Sequence, residues 1–347
     1  MKLLVVAQTV DENDLQLGFF HRWLEELAPR VETLTVICLK EGTHHLPENV
    51  RIYSLGKEKK KESALVYAIR FKELAWKLRK EYDTVFVHMN QEYILIAGPM
   101  WKLLGKKIYM WRNHYDGSWL TDVAAFFCTN VFCTSRFSYT AKYKKTVLMP
   151  VGVDTERFER AKDESHITRT PRSILFFARM APSKKPEVLI EALALLKERK
   201  IEFTARFYGS PLPVDEGYYL SIKKLASRYQ LDDRVTFYPG VPNTQASRIF
   251  SEHEIFVNCS QSGMFDKTLF EAAASGCLVI AASEDFKDLA GSETYFDGTP
   301  SSLAERLESR LSQSEEVQKE ERKKFVHIAQ EQSLSILMNK LVHTMSA

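Results

Sequence analysis

Lys267-Thr268-Leu269-Phe270-Glu271-Ala272-Ala273-Ala274-Ser275-Gly276-Cys277-Leu278-Val279-Ile280-Ala281 is the stretch on which the fold turns. Residues 267–275 read as a helix of small and apolar residues, and 278–281 as a short, fully buried strand. Working back from it, strands at 174–177, 203–208, 235–238 and 255–258 alternate with helices at 186–199, 218–229 and 244–251. The first half repeats the theme. Strands are expected at 2–8, 31–39, 50–55, 84–88 and 107–111, helices at 18–27, 63–82 and 94–104, and further apolar segments around 123–133 and 146–149. Strands that alternate with helices imply parallel, doubly wound sheets, whose ligands lie beyond the carboxyl ends of the strands.

The 347 residues suit two domains facing one cleft. Pro150-Val151-Gly152-Val153-Asp154 breaks the pattern and residues 159–172 are polar and charged, so the linker is expected there. The expected division is 1–150, 151–314 and a C-terminal helical segment, 315–347, packing back toward the first domain. The net charge of +3 excludes nucleic acid as the default partner. Its distribution is uneven, because residues 1–150 carry 22 basic and 16 acidic side chains. No apolar run reaches the roughly 18 residues of a membrane span. The start, Met1 to Ala7, is short and soon followed by Asp11, Glu12 and Asp14, unlike a secretion signal. Five cysteines in mostly apolar runs read as reduced core residues of a cytoplasmic protein. Cys128 and Cys133 lack the second pair or histidine that a metal site needs.

The residues expected beyond the strands of the first domain include His88, Met89, Asn90 and Gln91, then Trp111, Arg112, Asn113 and His114. His114 follows a buried strand directly within a polar, aromatic cluster; it is either a functional histidine or one that caps a loop. Gly18 opens the first helix, where free N–H groups and the helix dipole suit a phosphate. No Gly-x-Gly-x-x-Gly follows a strand and there is no Walker loop, which argues against nicotinamide dehydrogenases and P-loop NTPases.

In the second half the order of motifs resembles the family-four glycosyltransferases of the GT-B fold. The segments are 149–158, Ile174-Leu175-Phe176-Phe177-Ala178-Arg179 with Lys184-Lys185-Pro186, Phe207-Tyr208-Gly209, 234–241, and 270–280. The resemblance implies two Rossmann-like domains, a nucleotide-sugar donor held by the second and no cofactor or metal. Arg179 and Lys184 then face the diphosphate, where fixed cations stabilise the leaving group; the doubled lysine leaves Lys185 as an alternative to Lys184. Gly209 and Val241 border the base. Glu271 accepts from the ribose hydroxyls, its other reading being a helix-dipole carboxylate.

The sequence also departs from the family. A second glutamate usually stands eight positions before the ribose glutamate, and here that position is Gly263. Asp266 either substitutes for it or caps the following helix; the N–H groups of Gly263, Met264, Phe265 and Asp266, together with Lys267, are expected to face the donor. Gly18 matches one glycine of the family's usual pair, with Leu17 at the other. His114 falls where the family places a histidine near the reacting carbon, and His88, Asn90, Trp111 and Asn113 fall toward the acceptor side.

These implications describe a retaining, metal-independent hexosyltransferase, with UDP-sugars favoured over GDP-sugars and a glycan or lipid-linked acceptor. Domain closure about residues 150–154 and the C-terminal segment is expected to exclude water. The alternatives are a non-catalytic sugar-nucleotide-binding scaffold, or a GT-B enzyme of other chemistry such as an epimerase or phosphorylase. Residues 57–107 hold 12 Lys/Arg against six Asp/Glu, interleaved with aromatics. That helix reads either as an element on an anionic membrane at the inner face of the cell or as an ordinary helix with its stripe on the sheet.

Overall fold

The computed structural model describes residues 1–14, 17–164, 168–263 and 265–346. The chain divides into two compact units, Met1–Gly152 with the segment from Leu334 onward, and Val153–Ser333.

The first unit runs β1 (Lys2–Val10), α1 (Phe19–Leu27), β2 (Thr33–Glu41), β3 (Val50–Ser54), α2 (Ala64–Lys77), β4 (Thr84–His88), α3 (Glu92–Leu103), β5 (Lys107–Trp111), α4 (Trp119–Phe127), β6 (Asn130–Cys133) and β7 (Thr146–Leu148). Its seven strands are parallel in the order β3-β2-β1-β4-β5-β6-β7. Because side chains alternate along a strand, β1 serves two cores. Leu3, Val5 and Ala7 join Trp23 and Leu24 of α1, whereas Leu4 and Val6 join Phe71, Ile94, Trp101 and Ala124 from α2, α3 and α4. Each fully buried leucine, valine, isoleucine or phenylalanine among them contributes about 1.5–3 kcal/mol of transfer free energy.

The second unit runs α5 (Thr155–Glu164), β8 (Thr170–Phe177), α6 (Pro186–Glu198), β9 (Thr204–Tyr208), α7 (Glu216–Arg228), β10 (Val235–Tyr238), α8 (Asn243–Ser251), β11 (His253–Asn258), α9 (Lys267–Ala274), β12 (Leu278–Ala281), α10 (Glu284–Ala290), α11 (Pro300–Leu311) and α12 (Glu315–Glu331). Its parallel strands lie in the order β10-β9-β8-β11-β12. The near-continuous burial of Ile174 to Phe176, Ile255 to Val257 and Leu278 to Ala281 is what a sheet covered on both faces requires.

The final helix, α13 (Leu334–Ser346), belongs to the first unit. Its Leu337, Met338 and Leu341 enter the core beside Trp23. Gly152 explains how the chain fits there: it has φ +75°, and a Cβ would stand 2.2 Å from Leu337 Cδ2. Residues 315–347, expected as one segment, are thus shared, with α12 in the second unit and α13 in the first.

Two expectations change on contact with the structure. Residues 159–172 are not a linker throughout, since they carry much of α5 and the start of β8. Their polarity misleads because Glu, Arg, Lys and Ala are good helix formers without any apolar stripe, and β8 is anchored at its start by backbone pairing of Thr170 N–H to Glu252 O at 2.9 Å. The helix expected over 63–82 ends at Lys77, and it packs Phe71 and Ala75 on the sheet. Among the described residues no helix is long and apolar enough to cross a membrane.

Candidate functional site

In each sheet the strand order reverses beside the unit's first strand, between β1 and β4 and between β8 and β11. Such switch points open a crevice at the carboxyl ends. In the second unit β8 delivers Ala178 and Arg179 to this edge, and a short 3₁₀ turn, Pro182–Lys184, leads into α6. Lys185 there takes a left-handed conformation (φ 47°), and Pro186 occupies the first helical position. Arg179 is exposed, with no ion-pair partner among the described residues. Lys184 is the opposite case. Its Nζ donates to both oxygens of Asp266 at 2.7 Å and to Ser260 Oγ at 3.3 Å.

Asp266 occupies the N-cap position of α9, yet its carboxylate makes no cap hydrogen bond. Instead it pairs with Lys184 and accepts from Asn258 Nδ2 at 3.0 Å. Asn258, the last residue of β11, also accepts the Ser260 N–H at 2.9 Å, so the network is tied to the strand end. Burial pushes the Asp266 carboxyl up, but the Lys184 charge and the hydrogen bonds of Lys184, Asn258 and Ser260 outweigh it, leaving the group below its ordinary range. Asp266 therefore sits where a cap sits without making the cap hydrogen bond, and its charge is paired with Lys184.

The neighbouring loops are stitched closely. Gly209 follows β9 with the Ala178 carbonyl oxygen 1.9 Å from where a Cβ would stand, so only glycine fits. Met180 N–H donates to Ser210 O at 3.3 Å and Gly240 N–H to Ser210 Oγ at 2.9 Å, bringing the loops after β8, β9 and β10 side by side. Val241, half-buried, continues this line into α8.

One turn into α9, Glu271 is 6% exposed. Asn243 Nδ2 of α8 reaches Glu271 Oε1 at 3.5 Å, and Arg157 Nη1 of α5 donates to Asn243 Oδ1 at 3.0 Å. Burial raises the Glu271 carboxyl, partly offset by the charges of Lys267 and Arg157, and burial lowers the Lys267 ammonium, partly offset by Glu271. Gly263 N–H donates to Asp285 Oδ2 at 3.2 Å. Phe265 packs its ring on Phe270 (4.9 Å, 71°), which makes it a core residue. Met264 lies outside the described residues.

In the first unit, Gly18 caps α1, with its N–H donating to Asp14 O at 3.0 Å. A recess of about 210 Å³ is lined by Met89, Asn90, Glu92, Arg112, Asn113 and His114. Asp116 N–H donates to His114 Nδ1 at 2.9 Å, so Nδ1 is an acceptor and the ring proton belongs on Nε2. Asn113 Oδ1 accepts from Thr134 N–H and Ser138 Oγ, which fixes its amide. His88 and Trp111 are placed elsewhere. Both are buried, and His88 lies among rings, stacked on Phe20 at 4.3 Å and 5.4 Å from Trp23.

The structure thus joins Lys184 to Asp266 and Lys267 to Glu271, and it gathers Asn90, Asn113 and His114. The sequence did not single out Asn258, Ser260 and Asn243, although a polar residue ending the apolar run 255–258 was a usable signal. The five cysteines are free and buried, and among the described residues no group of three His, Cys, Asp or Glu is placed to hold a metal.

Residues 157–332, just over half of the chain, match the family model described as Glycosyl transferases group 1. The D-inositol 3-phosphate glycosyltransferase of Streptomyces scabiei is 31% identical over 159 residues, 42% of this chain and 35% of that protein. The chain spans about a third of the length of that curated relative. Among solved structures, Anabaena HepE in complex with UDP matches with a TM-score of 0.76 at 16% identity over the whole of both chains. WaaG, a glycosyltransferase involved in lipopolysaccharide biosynthesis, matches with a TM-score of 0.67 at 15% identity over 99% of this chain and 100% of that one. The architecture is the GT-B fold.

Proposed function

Because the chain belongs to the group 1 glycosyl transferases, we propose that it moves a sugar from a nucleotide-diphosphate sugar, UDP-linked in preference to GDP-linked, to a glycan or lipid-linked acceptor. The setting is synthesis of cell-surface polysaccharide or glycolipid, in the cytoplasm and at the inner membrane surface. The observation that carries this reading is the second switch point. There an exposed arginine, a half-buried lysine and a buried glutamate stand beyond the ends of parallel strands, in the order in which a diphosphate and a ribose would need them.

Glu271 takes the ribose. Burial raises its pKa, but the charges of Lys267 and Arg157 and the hydrogen bond from Asn243 favour the carboxylate, which accepts from two hydroxyls. Arg179 takes the diphosphate as a planar fork. Lys184 adds its charge after exchanging part of the Asp266 contact for a phosphate oxygen, an exchange that the three N–H donors of an ammonium allow. The transfer retains configuration: the acceptor hydroxyl attacks the face from which the nucleotide leaves and passes its proton to the departing phosphate. No metal enters this scheme, because the two cations carry the growing charge. Acceptor recognition falls to the recess around Asn90, Asn113 and His114, where Nε2–H of His114 is a donor for a sugar or acceptor hydroxyl.

A second reading, a sugar-nucleotide-binding protein without turnover, draws on Gly263 and on the neutralised charge of Lys184. Calorimetric titration with UDP and GDP, followed by nucleotide release from UDP-sugars with glycan and lipid-linked acceptors, separates the two. Glu271→Ala is expected to weaken UDP binding about tenfold or more, as the loss of a charged hydrogen-bond acceptor does. Unaltered binding removes the ribose assignment, and tight binding with no release on any acceptor favours the second reading.

A further inference from the structure

Helix α4 is packed with its small residues inward. Thr121, Ala124 and Ala125 are buried, whereas Trp119, Val123 and Phe126 are 71%, 37% and 76% exposed. At the angular step of a helix these three lie within about 60° of one another, a single apolar stripe. The stripe does not stop at the helix. α3 packs beside α4, with Gly98 against the Phe127 ring, and the last residue of α3, Leu103, is 90% exposed.

The surroundings are cationic. Residues 100–148 hold eight Lys/Arg against two Asp/Glu, and one of those acids, Asp122, is already taken by Lys142 at 2.8 Å and by the hydroxyls of Tyr139 and Tyr143. Lys145 donates to Cys128 O at 2.7 Å and so closes the carboxyl end of α4, near enough to Lys102 for their like charges to interact. Lys102 and Lys144 remain exposed. Protein interfaces deplete lysine, whereas aromatic and leucine side chains with lysines from neighbouring segments suit a headgroup boundary; here the lysines come from the end of α3 and the segment before β7. An exposed apolar patch of this kind marks an interaction site.

We infer that the outer face of α4 and the last turn of α3 docks on an anionic lipid bilayer, with Trp119, Phe126 and Leu103 entering the boundary and Lys102 and Lys144 on the lipid phosphates. This rests on the membrane reading given above and deepens it by naming the face. That face shares only the last turn of α3 with the 57–107 stretch which the sequence suggested.

The test is flotation of the full chain with vesicles of phosphatidylcholine, with and without about 30 mol% phosphatidylglycerol, at low salt. Wild type is expected to float with the anionic vesicles alone. Trp119→Ser with Phe126→Ser should reduce the bound fraction about tenfold or more, while Ile69→Ser with Trp76→Ser, on the exposed side of α2, leaves it unchanged. Lys102→Glu with Lys144→Glu repeats the test without touching the apolar residues, should the serine variant melt early. If the α2 variant abolishes flotation and the α4 variants do not, the face is wrong although the membrane reading stands. If wild type ignores both vesicles, both fall. A wild-type dimer that becomes monomeric in the serine variant, without lipid binding, shows that a second copy covers the face and overturns the proposal. UDP titration of every variant keeps these outcomes separate from the donor site.

Discussion

The two switch points share a topology and differ in everything that fills them. At β1/β4 the residue ending β4 is His88, enclosed by Phe19, Phe20 and Trp23. At β8/β11 the residue ending β11 is Asn258, which anchors a network of Ser260, Asp266 and Lys184. One crevice is closed by rings and the other is lined with charge. Topology provides the place, and side chains decide whether it becomes a site.

The sharpest way to break this comparison is to remove the charge. Lys184→Ala leaves the half-buried Asp266 carboxylate without its cation and should cost about 3 kcal/mol in chemical denaturation, together with a fall in turnover of about a hundredfold. Lys184→Met with Asp266→Leu should recover most of the stability and none of the turnover. If stability stays low in the double variant, the pair is not what the crevice depends on.

A control lies at the opposite end of β11. His253 is fully buried, donates from Nδ1 to Ile249 O, and has an Nε2 without a partner. Burial, first, and the nearby Arg206 and Arg169 charges lower its pKa to about 4, against the hydrogen bond to Ile249. The unfolded chain therefore binds a proton that the native state refuses between pH 6.5 and about 4. Stability should fall across that window as pH drops, by on the order of 3 kcal/mol, and be fully present at pH 7. Asp266 behaves differently: its depressed pKa confines its loss to still lower pH. Urea midpoints of wild type and His253→Gln across the window test this, and parallel curves would reject it.

Arg179→Ala separates function from stability. Because Arg179 is exposed, its loss should leave stability within about 0.5 kcal/mol while nucleotide release slows about a hundredfold, or ~2.7 kcal/mol. Near-wild-type rates would refute the diphosphate role. The smallest effect belongs to the aromatic crevice, where Phe20→Leu should cost about 1 kcal/mol and leave UDP binding unchanged.

Much of this was legible in the residues. Alternating apolar runs announce both sheets, and Glu271 stands out in a small, apolar helix. Three features were not legible. Lys184 and Asp266 are 82 positions apart, so neither carries a local mark of the other. α5 hides in charged residues because helix propensity needs no apolar period. α4 misleads most, since its large residues face outward and a pattern reader takes large apolar residues as the buried side.

α13 has a consequence for how the molecule is made. Its leucines complete the face of the first sheet on which α1 lies, so the first unit, although its sheet leaves the ribosome before the second unit, is closed only when Leu334–Ser346 follows. The second unit, continuous from Val153 to Ser333, can finish earlier. During synthesis Trp23 and Leu24 therefore wait uncovered, a window in which a chaperone has something apolar to hold.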